Sequence, residues 1–325
     1  MDEILNKKIL IIGGTGSLGH KLTERFMKNN ELYLYSRDEC KHWEMNLEYP
    51  NNHLKFIIGN INDQSKITQT LLRYNFNIII MAAAMKHIDK AEYESNECIN
   101  TNLLGTQKVL NSIENNLNRL TELENVCFVS TDKACSPVNL YGMTKSLSEC
   151  LMIEKAKYIK QIKFTCVRYG NVLNSRGSII PILHKIGKEK EYKHFSITDE
   201  RMTRFVMTLD QSVDLIIHAF IHAESGDVVI PKLISFKIKE LIEIFSEIYN
   251  KPVILGKLRP GEKLLESLIN ETQSMRLIHG KDGYMYIKPP FKNIMVDNKV
   301  KDYNSTLNPL SKDEIKVYLK SLNLI

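Results

Sequence analysis

Short β-branched runs alternate with longer amphipathic stretches through the first half of the chain. Lys8–Ile12, Leu32–Tyr35, Leu54–Ile58, Ile78–Ala82, Val126–Ser130 and Lys163–Arg168 read as strands. Between them Leu18–Lys28, Ser65–Arg73, Asn96–Ile113 and Tyr141–Tyr158 carry apolar residues at helical spacing. This alternation predicts an α/β fold built on a doubly wound parallel sheet. Ligands of such sheets bind at the carboxyl ends of the strands. After about Gly170 the pattern becomes irregular. Thr208-Leu209-Asp210-Gln211 is a capping box that opens a helix through Phe220, Asp227–Ile230 reads as a strand, and Phe236–Tyr249 reads as a helix. Ser311 to Glu314 caps a last one. The predicted organisation is a cofactor domain over 1–170, to which 205–230 returns. A smaller mixed α/β lobe comes from 171–204 and 231–295, and 296–325 forms a tail with a helix.

Composition narrows the partners. Of 325 residues, 43% are apolar, which excludes a disordered chain and is ample for a core without metals or disulfides. The net charge of +6 is mild: it suits an anionic ligand and gives no reason to expect nucleic acid. None of the six cysteines forms a C-x-x-C pair, so a reducing, cytoplasmic setting is expected. The longest apolar run, Ile78 to Met85, falls well short of the roughly 20 residues that span a bilayer, and no membrane insertion is expected. Met1 to Leu10 lacks the pattern of a secretory leader. The C-terminal lysines, Lys299 to Lys320, alternate with acidic residues and read as a solvated face.

Two motifs carry chemistry. The first strand runs into Gly13-Gly14-Thr15-Gly16-Ser17-Leu18-Gly19, which places Gly13, Gly16 and Gly19 at a strand-to-helix junction. There glycine lets backbone approach a pyrophosphate, and the helix N-terminus offers free N–H groups. An ordinary Gly-rich turn is the bland alternative; position on the first junction of an alternating chain favours a Rossmann dinucleotide site. Where an NAD site usually carries an acid at the end of the second strand, this chain has Ser36 and Arg37, with Lys41 one turn on. Arg pairs a 2′-phosphate bidentately, so NADP is preferred over NAD. Asp38 next door keeps a plain surface arginine in play.

Strand Val126–Ser130 leads into Thr131-Asp132-Lys133, and Tyr141 and Lys145 follow four residues apart, on one helical face. An ammonium beside the phenol is expected to lower its pKa and fit it for proton exchange with a sugar hydroxyl. His218 and His222, with Glu224, have zinc-like spacing, but their helix lies away from the strand ends; no metal is expected.

Together, Gly13-x-x-Gly16-x-x-Gly19 and Tyr141-x-x-x-Lys145 resemble the extended short-chain dehydrogenase/reductase superfamily. Ser130-Thr131-Asp132-Lys133-Ala134 and Asn139-Leu140-Tyr141-Gly142 are similar to the configuration-inverting UDP-N-acetylglucosamine 4,6-dehydratases. So are Ser36 to Lys41, Ala82 to His87, Arg168 to Val172, Ser175 to Ser178, Met202 to Phe205 and Arg259 to Lys263. Asn60 and Asn174 depart from that family's usual acidic and small residues.

The resemblance implies oxidation at sugar C4, removal of H5, loss of the C6 hydroxyl as water and reduction at C6, with a tightly bound NADP recycled. It implies Asp132 as the acid, Lys133 as the base and Thr131 on the 4-hydroxyl, with C5 inverted in the product. A lysine base must be neutral, so burial or neighbouring cations are expected to lower the Lys133 pKa. The resemblance also implies cofactor contacts from Thr15, Ser17, Leu18, Asn60, Ile61, Ala82, Lys86, Ser130 and Val172, beside Tyr141 and Lys145. It implies UDP-sugar contacts from Lys86, Thr131, Asn171, Arg176, Thr198, Arg204, Arg259 and Glu262, and a homo-oligomer, a dimer or larger, up to a hexamer. A 4-epimerase, a retaining dehydratase and a non-catalytic cofactor-binding regulator stay open at this point. The first needs no Asp132-Lys133 pair, the second would carry a carboxylate at 133, and the third would be expected to lose Tyr141 or Lys145.

Overall fold

Central strands buried on both faces dictate the architecture. The computed structural model describes residues 4–280, 283–296 and 302–325. Strands β1 (Lys8–Ile12), β2 (Glu31–Ser36), β3 (Leu54–Ile58), β4 (Ile78–Met81), β5 (Asn125–Val129) and β6 (Lys163–Val167) pair in parallel in the order 3-2-1-4-5-6. Val228–Pro231 adds in parallel to β6. Tyr284–Ile287 and Leu277–His279 then extend the sheet antiparallel, giving nine strands. Alternate residues serve opposite faces. Leu10, Ile12, Tyr33 and Ile79 pack with Ile67, Leu71, Val109 and Met152 on one side. Ile9, Ile11, Leu32 and Ile80 pack with Leu22, Phe26, Met45 and Ile216 on the other.

The helices differ from their sequence patterns in instructive places. Ser17–Phe26 (α1) and Gln64–Tyr74 lie close to expectation, whereas Glu39–Glu48, capped by Asp38, has no counterpart in the pattern. The stretch Asn96–Ile113 reads as one helix but contains a π-helical segment, Ile99–Leu104, between α-helical Ser95–Cys98 and Gly105–Glu114. There Asn102 turns its amide onto the main chain of Met85, accepting from its N–H at 2.8 Å. Phe236, expected in a helix, lies in strand Ile234–Lys237, which pairs with Thr203–Met207; the helix begins at Ile238. The capping boxes of Thr208 with Gln211 and of Ser311 with Glu314 both form.

A third core, with Leu183, Phe195, Phe236, Phe245 and Ile315, builds the smaller lobe. Of the 231–295 block assigned to that lobe, Leu277–His279 and Tyr284–Ile287 pair with the main sheet instead. The C-terminal helix Lys312–Ser321 packs on the lobe through Ile315 and Leu319. Lys299 and Lys301, and Met1 at the start of the chain, lie outside the described residues. Among the described residues no helix is long and apolar enough to cross a membrane.

Candidate active site

One cleft of about 1450 Å³ runs over the carboxyl ends of β1, β2, β4 and β5 and under the small lobe. At its first end the chain turns at Gly13, whose φ of +89° suits glycine; an added Cβ would stand 2.6 Å from the Ala83 nitrogen. Gly16 caps α1 without any side-chain hydrogen bond, which leaves the first N–H groups of that helix open to an anion. Thr15, Ser17 and Leu18 line this wall with Ile61 and Ala82. Gly19 does not. A Cβ there would come 1.9 Å from the Gly14 carbonyl oxygen, so Gly19 serves the packing of α1 on the loop, a correction to its expected place at the cofactor.

At the end of β2, the Ser36 hydroxyl meets Thr15 Oγ1 at 3.1 Å and His42 Nε2 at 2.8 Å. Arg37 is 63% exposed and only 3.5 Å from Glu97, and Lys41 pairs with Asp38 at 2.8 Å. Asn60 also lines the cleft; its side chain accepts from Asn62 N–H and its carbonyl from the Tyr35 hydroxyl.

At the second end, β5 runs through Ser130 and Thr131 into the single turn Asp132–Ala134. Main-chain bonds from Ser130 N–H to Val167 and from Asp132 N–H to Tyr169 fix that turn against β6 and its extension. Asp132 is fully buried below the cleft floor. Lys133 Nζ lies 3.0 Å from Asp132 Oδ1, 3.3 Å from Glu266 Oε1 and 3.4 Å from Asn171 Oδ1. Thr131 donates to the same Asp132 oxygen at 2.8 Å.

These neighbours overturn one expectation. Burial works to lower the Lys133 pKa, but Asp132 and Glu266 more than reverse it and hold the ammonium above its usual range. Arg204 opposes them without prevailing. The resting lysine is therefore charged, because its near neighbours are anions.

Tyr141 and Lys145 correct a second expectation. Burial pushes the Tyr141 phenol up to about 12, against the pull of the Lys133 ammonium and the Thr131 hydroxyl. Lys145 spends its ammonium elsewhere. It donates to the Val129 carbonyl at 2.6 Å and lies 4.2 Å over the Phe128 ring. Burial pushes Lys145 down to about 8, with Glu149 opposing. The cation acting on the phenol is Lys133.

The substrate-side residues divide. Asn171, Val172, Thr198, Arg204, Arg259, Glu262 and Lys86 line the cleft. Thr198 donates to Met202 Sδ at 3.2 Å. Arg259 and Glu262, expected to contact ligand separately, are hydrogen-bonded to each other at 3.0 Å. Lys86 donates to the Arg176 carbonyl at 2.7 Å, and burial lowers its pKa. Arg204, expected on the sugar nucleotide, gives its Nη hydrogens to the carbonyls of Thr203, Lys263 and Leu264. It ties the 263–264 segment down. Arg176 also departs from its expected place: its guanidinium reaches toward His20 on α1, 3.5 Å away, and its N–H donates to Ser17 Oγ. Asn174 adopts φ +57°, a backbone region that asparagine tolerates.

Three features escape sequence reasoning. Glu266 reaches Lys133 from far along the chain. Lys263 donates to the Cys135 carbonyl at 2.9 Å. The buried pair of Arg168 and Glu149, two hydrogen bonds of 2.9 and 2.7 Å, joins Ser130 on one side to the Leu268 carbonyl on the other. Arg168 stands in a recognisable motif, but nothing in the sequence marks its partner. His218 stacks on Tyr284 with centroids 3.7 Å apart and bonds Tyr286. Among the described residues no group of three His, Cys, Asp or Glu side chains could hold a metal ion.

Residues 9–288 match the protein family described as polysaccharide biosynthesis protein. Over 98% of both chains, the sequence is 37% identical to UDP-N-acetylglucosamine 4,6-dehydratase (inverting) of Campylobacter jejuni. It is also 37% identical to a UDP-glucose 4-epimerase of Rickettsia rickettsii, covering 86% of this chain and 82% of that one. The X-ray structure of Pen from Bacillus thuringiensis superposes with a TM-score of 0.89 at 30% identity, over 99% of each chain.

Proposed function

The chain belongs to the polysaccharide biosynthesis protein family, and from that premise we propose that it is an NADP-dependent UDP-N-acetylglucosamine 4,6-dehydratase that inverts C5. The product is a UDP-linked 2-acetamido-2,6-dideoxy-β-L-arabino-hex-4-ulose. The observation that carries the reading is the Asp132–Lys133 pair, 3.0 Å apart, in which Lys133 lines the cleft with Tyr141 and Asp132 is buried behind it. An elimination needs an acid and a base side by side; a 4-epimerase does not.

The first end of the cleft fits a dinucleotide. The Gly13 turn leaves no room for a Cβ, and the uncapped start of α1 suits the pyrophosphate. Arg37 and Lys41, exposed and loosely paired, would hold a 2′-phosphate. When bound, the nicotinamide supplies the hydride acceptor and later the donor. Tyr141 takes the proton of the C4 hydroxyl, with Thr131 hydrogen-bonding that oxygen. Burial holds that phenol high even with the Lys133 ammonium drawing it down, so it has to lose its own proton before it can take this one.

Elimination follows from the pair's proton inventory. Lys133 has to accept H5 as a free amine, and Asp132 has to give a proton to the departing C6 oxygen. Transfer of one proton across the 3.0 Å contact converts the resting ion pair into the neutral amine and neutral acid that both steps need. Once H5 is on Lys133 and the acid proton has left with water, the ion pair is restored. Reduction at C6 is completed by a solvent-derived proton delivered to the opposite face of C5, balanced by the proton that Tyr141 took from the C4 hydroxyl, and this gives the inverted sugar.

A second reading, a UDP-glucose 4-epimerase, rests on the names of the Rickettsia relatives. Products of UDP-N-acetylglucosamine and UDP-glucose turnover separate the two: a 4-keto-6-deoxy sugar with water lost supports the dehydratase, and a simple C4 epimer the epimerase. The enzyme is further expected to work in the cytoplasm and to assemble as a homo-oligomer. Sedimentation of the purified protein tests the second point; a monomer would contradict it.

A further inference from the structure

Among the described residues, Glu266 is a carboxylate that touches Lys133 and that the elimination leaves without a part. It lies 134 residues from Asp132 along the chain, yet only 1% of its side chain is exposed and Oε1 stands 3.3 Å from Lys133 Nζ. Its backbone is fixed on both sides: the Glu266 N–H donates to Ser305 Oγ at 3.0 Å, and the Ser305 N–H donates to the Glu266 carbonyl at 2.8 Å. Arg204 and Lys263, through the carbonyls of residues 263–264 and Cys135, hold the preceding turn against the catalytic loop. The second oxygen, Oε2, is buried with no hydrogen-bond partner; Lys263 Nζ is 3.9 Å away. So much ordering around a carboxylate aimed at one ammonium is not needed to fill space.

We propose that Glu266 is a positioning residue of the acid–base pair, which holds the Lys133 ammonium beside Asp132 and sets the pH at which that lysine releases its proton. The inference rests on the reading of Lys133 as the elimination base. Four groups face Lys133: Asp132 and Glu266 favour its charge, Arg204 opposes it, and Tyr141 is charge-coupled to it. Around Glu266 stand Lys133, Lys263 and Arg204, which favour its ionised form, and Asp132, which does not. Burial raises the Glu266 pKa, so the lysine's charge and the glutamate's charge sustain one another. Two carboxylates flanking one ammonium keep the proton loaded until substrate enters. Glu266 then acts through Lys133, not on the sugar.

The test is a titration of the substrate-free protein carrying 13Cε-lysine, with the Lys133 signal assigned by its loss in Lys133→Met. In the unaltered protein Lys133 stays protonated to the highest pH the fold survives. Glu266→Gln, near-isosteric, brings its titration at least one pH unit below that limit, so that it is seen in the folded protein, and Glu266→Asp, which keeps the charge, moves it less; a Lys133 that stays protonated to the same limit in Glu266→Gln counts as unmoved. The limb of kcat that falls as pH rises moves with it in Glu266→Gln, because loss of the stored proton leaves no acid for the C6 oxygen, while KM changes by less than threefold. Coincident Lys133 titrations in the unaltered protein and Glu266→Gln, with matching melting curves, would overturn the proposal. Because the titration is read without substrate, it tests Glu266 whichever sugar nucleotide the enzyme turns over.

Discussion

The two ends of the cleft handle positive charge in opposite ways. At the β2 end, Arg37 and Lys41 are exposed, and their partners Glu97 and Asp38 are exposed too. Such pairs contribute little, on the order of 0–1 kcal/mol, and separate readily when an anionic ligand arrives. At the β5 end, Lys133 is 13% exposed and held by two carboxylates that are themselves about 1% exposed. There the charges cannot turn to solvent, so they fix one another's protonation. Lys145, equally enclosed, behaves differently. Its ammonium meets a carbonyl in place of a carboxylate, and its pKa falls to about 8 where that of Lys133 rises. On the proposed reading, one end captures a phosphate and the other stores a proton.

The largest effect should come from breaking the proton store. Asp132→Asn and Lys133→Met should each lower kcat by about 10³-fold, within the range for general acid–base groups. Cofactor carried through purification should be unchanged. Steady-state turnover and the absorbance of bound nicotinamide check both halves; full turnover in either variant would contradict the acid and base roles of the pair.

Lys145→Met probes the enclosed cation that lacks a touching carboxylate. A lysine whose folded pKa sits below its unfolded value carries the full cost of buried charge below about pH 8, and the cost fades as pH rises toward the unfolded value. The variant should therefore be more stable than the native chain by up to about 3 kcal/mol at pH 7. The gap should shrink by pH 10, as urea unfolding at the two pH values would measure. Activity should fall in the same variant.

At the exposed end, Arg37→Ala with Lys41→Ala should weaken NADP binding about 10- to 100-fold, the worth of one or two charged hydrogen bonds. NAD binding should change little, and the NADP loss should diminish with added salt. Titration of each cofactor into stripped protein reads this directly. The smallest effect belongs to Arg201→Ala. Its bidentate bond to Asp199 is as short as any buried pair, 2.7 Å, yet it stands in solvent. Its loss should move the melting temperature by no more than about one degree.

The same contrast explains what could be read in the chain beforehand. β1, β2, β4, β5 and β6 are legible because central strands buried on both faces leave continuous apolar runs, β3 at the sheet edge through its short β-rich run although Lys55 and Ile58 are exposed, and the Gly13 turn because its geometry requires glycine. The lobe is not. Asn171–Val172 and Phe195–Ile197 are two or three residues long and exist only through pairing with Thr203–Met207 and Val253–Leu255. Phe236 shows the same limit, because its strand is set by Arg204 opposite it, not by its neighbours in sequence. Within the site, i, i+4 spacing pointed to Tyr141 and Lys145, and the family resemblance to Asp132 and Lys133. It did not reveal which lysine faces the phenol. Nor did it reveal that Glu266 closes the pair, because burial and long-range contact leave no local pattern.

The measurement closest to the central claim is incubation of the enzyme with UDP-N-acetylglucosamine in D2O, followed by NMR. A 4-keto-6-deoxy product of L-arabino configuration with deuterium at C5 is expected, since H5 leaves to Lys133 and C5 is reprotonated from the other face. A C4 epimer without deuterium, or unchanged substrate, would contradict the account.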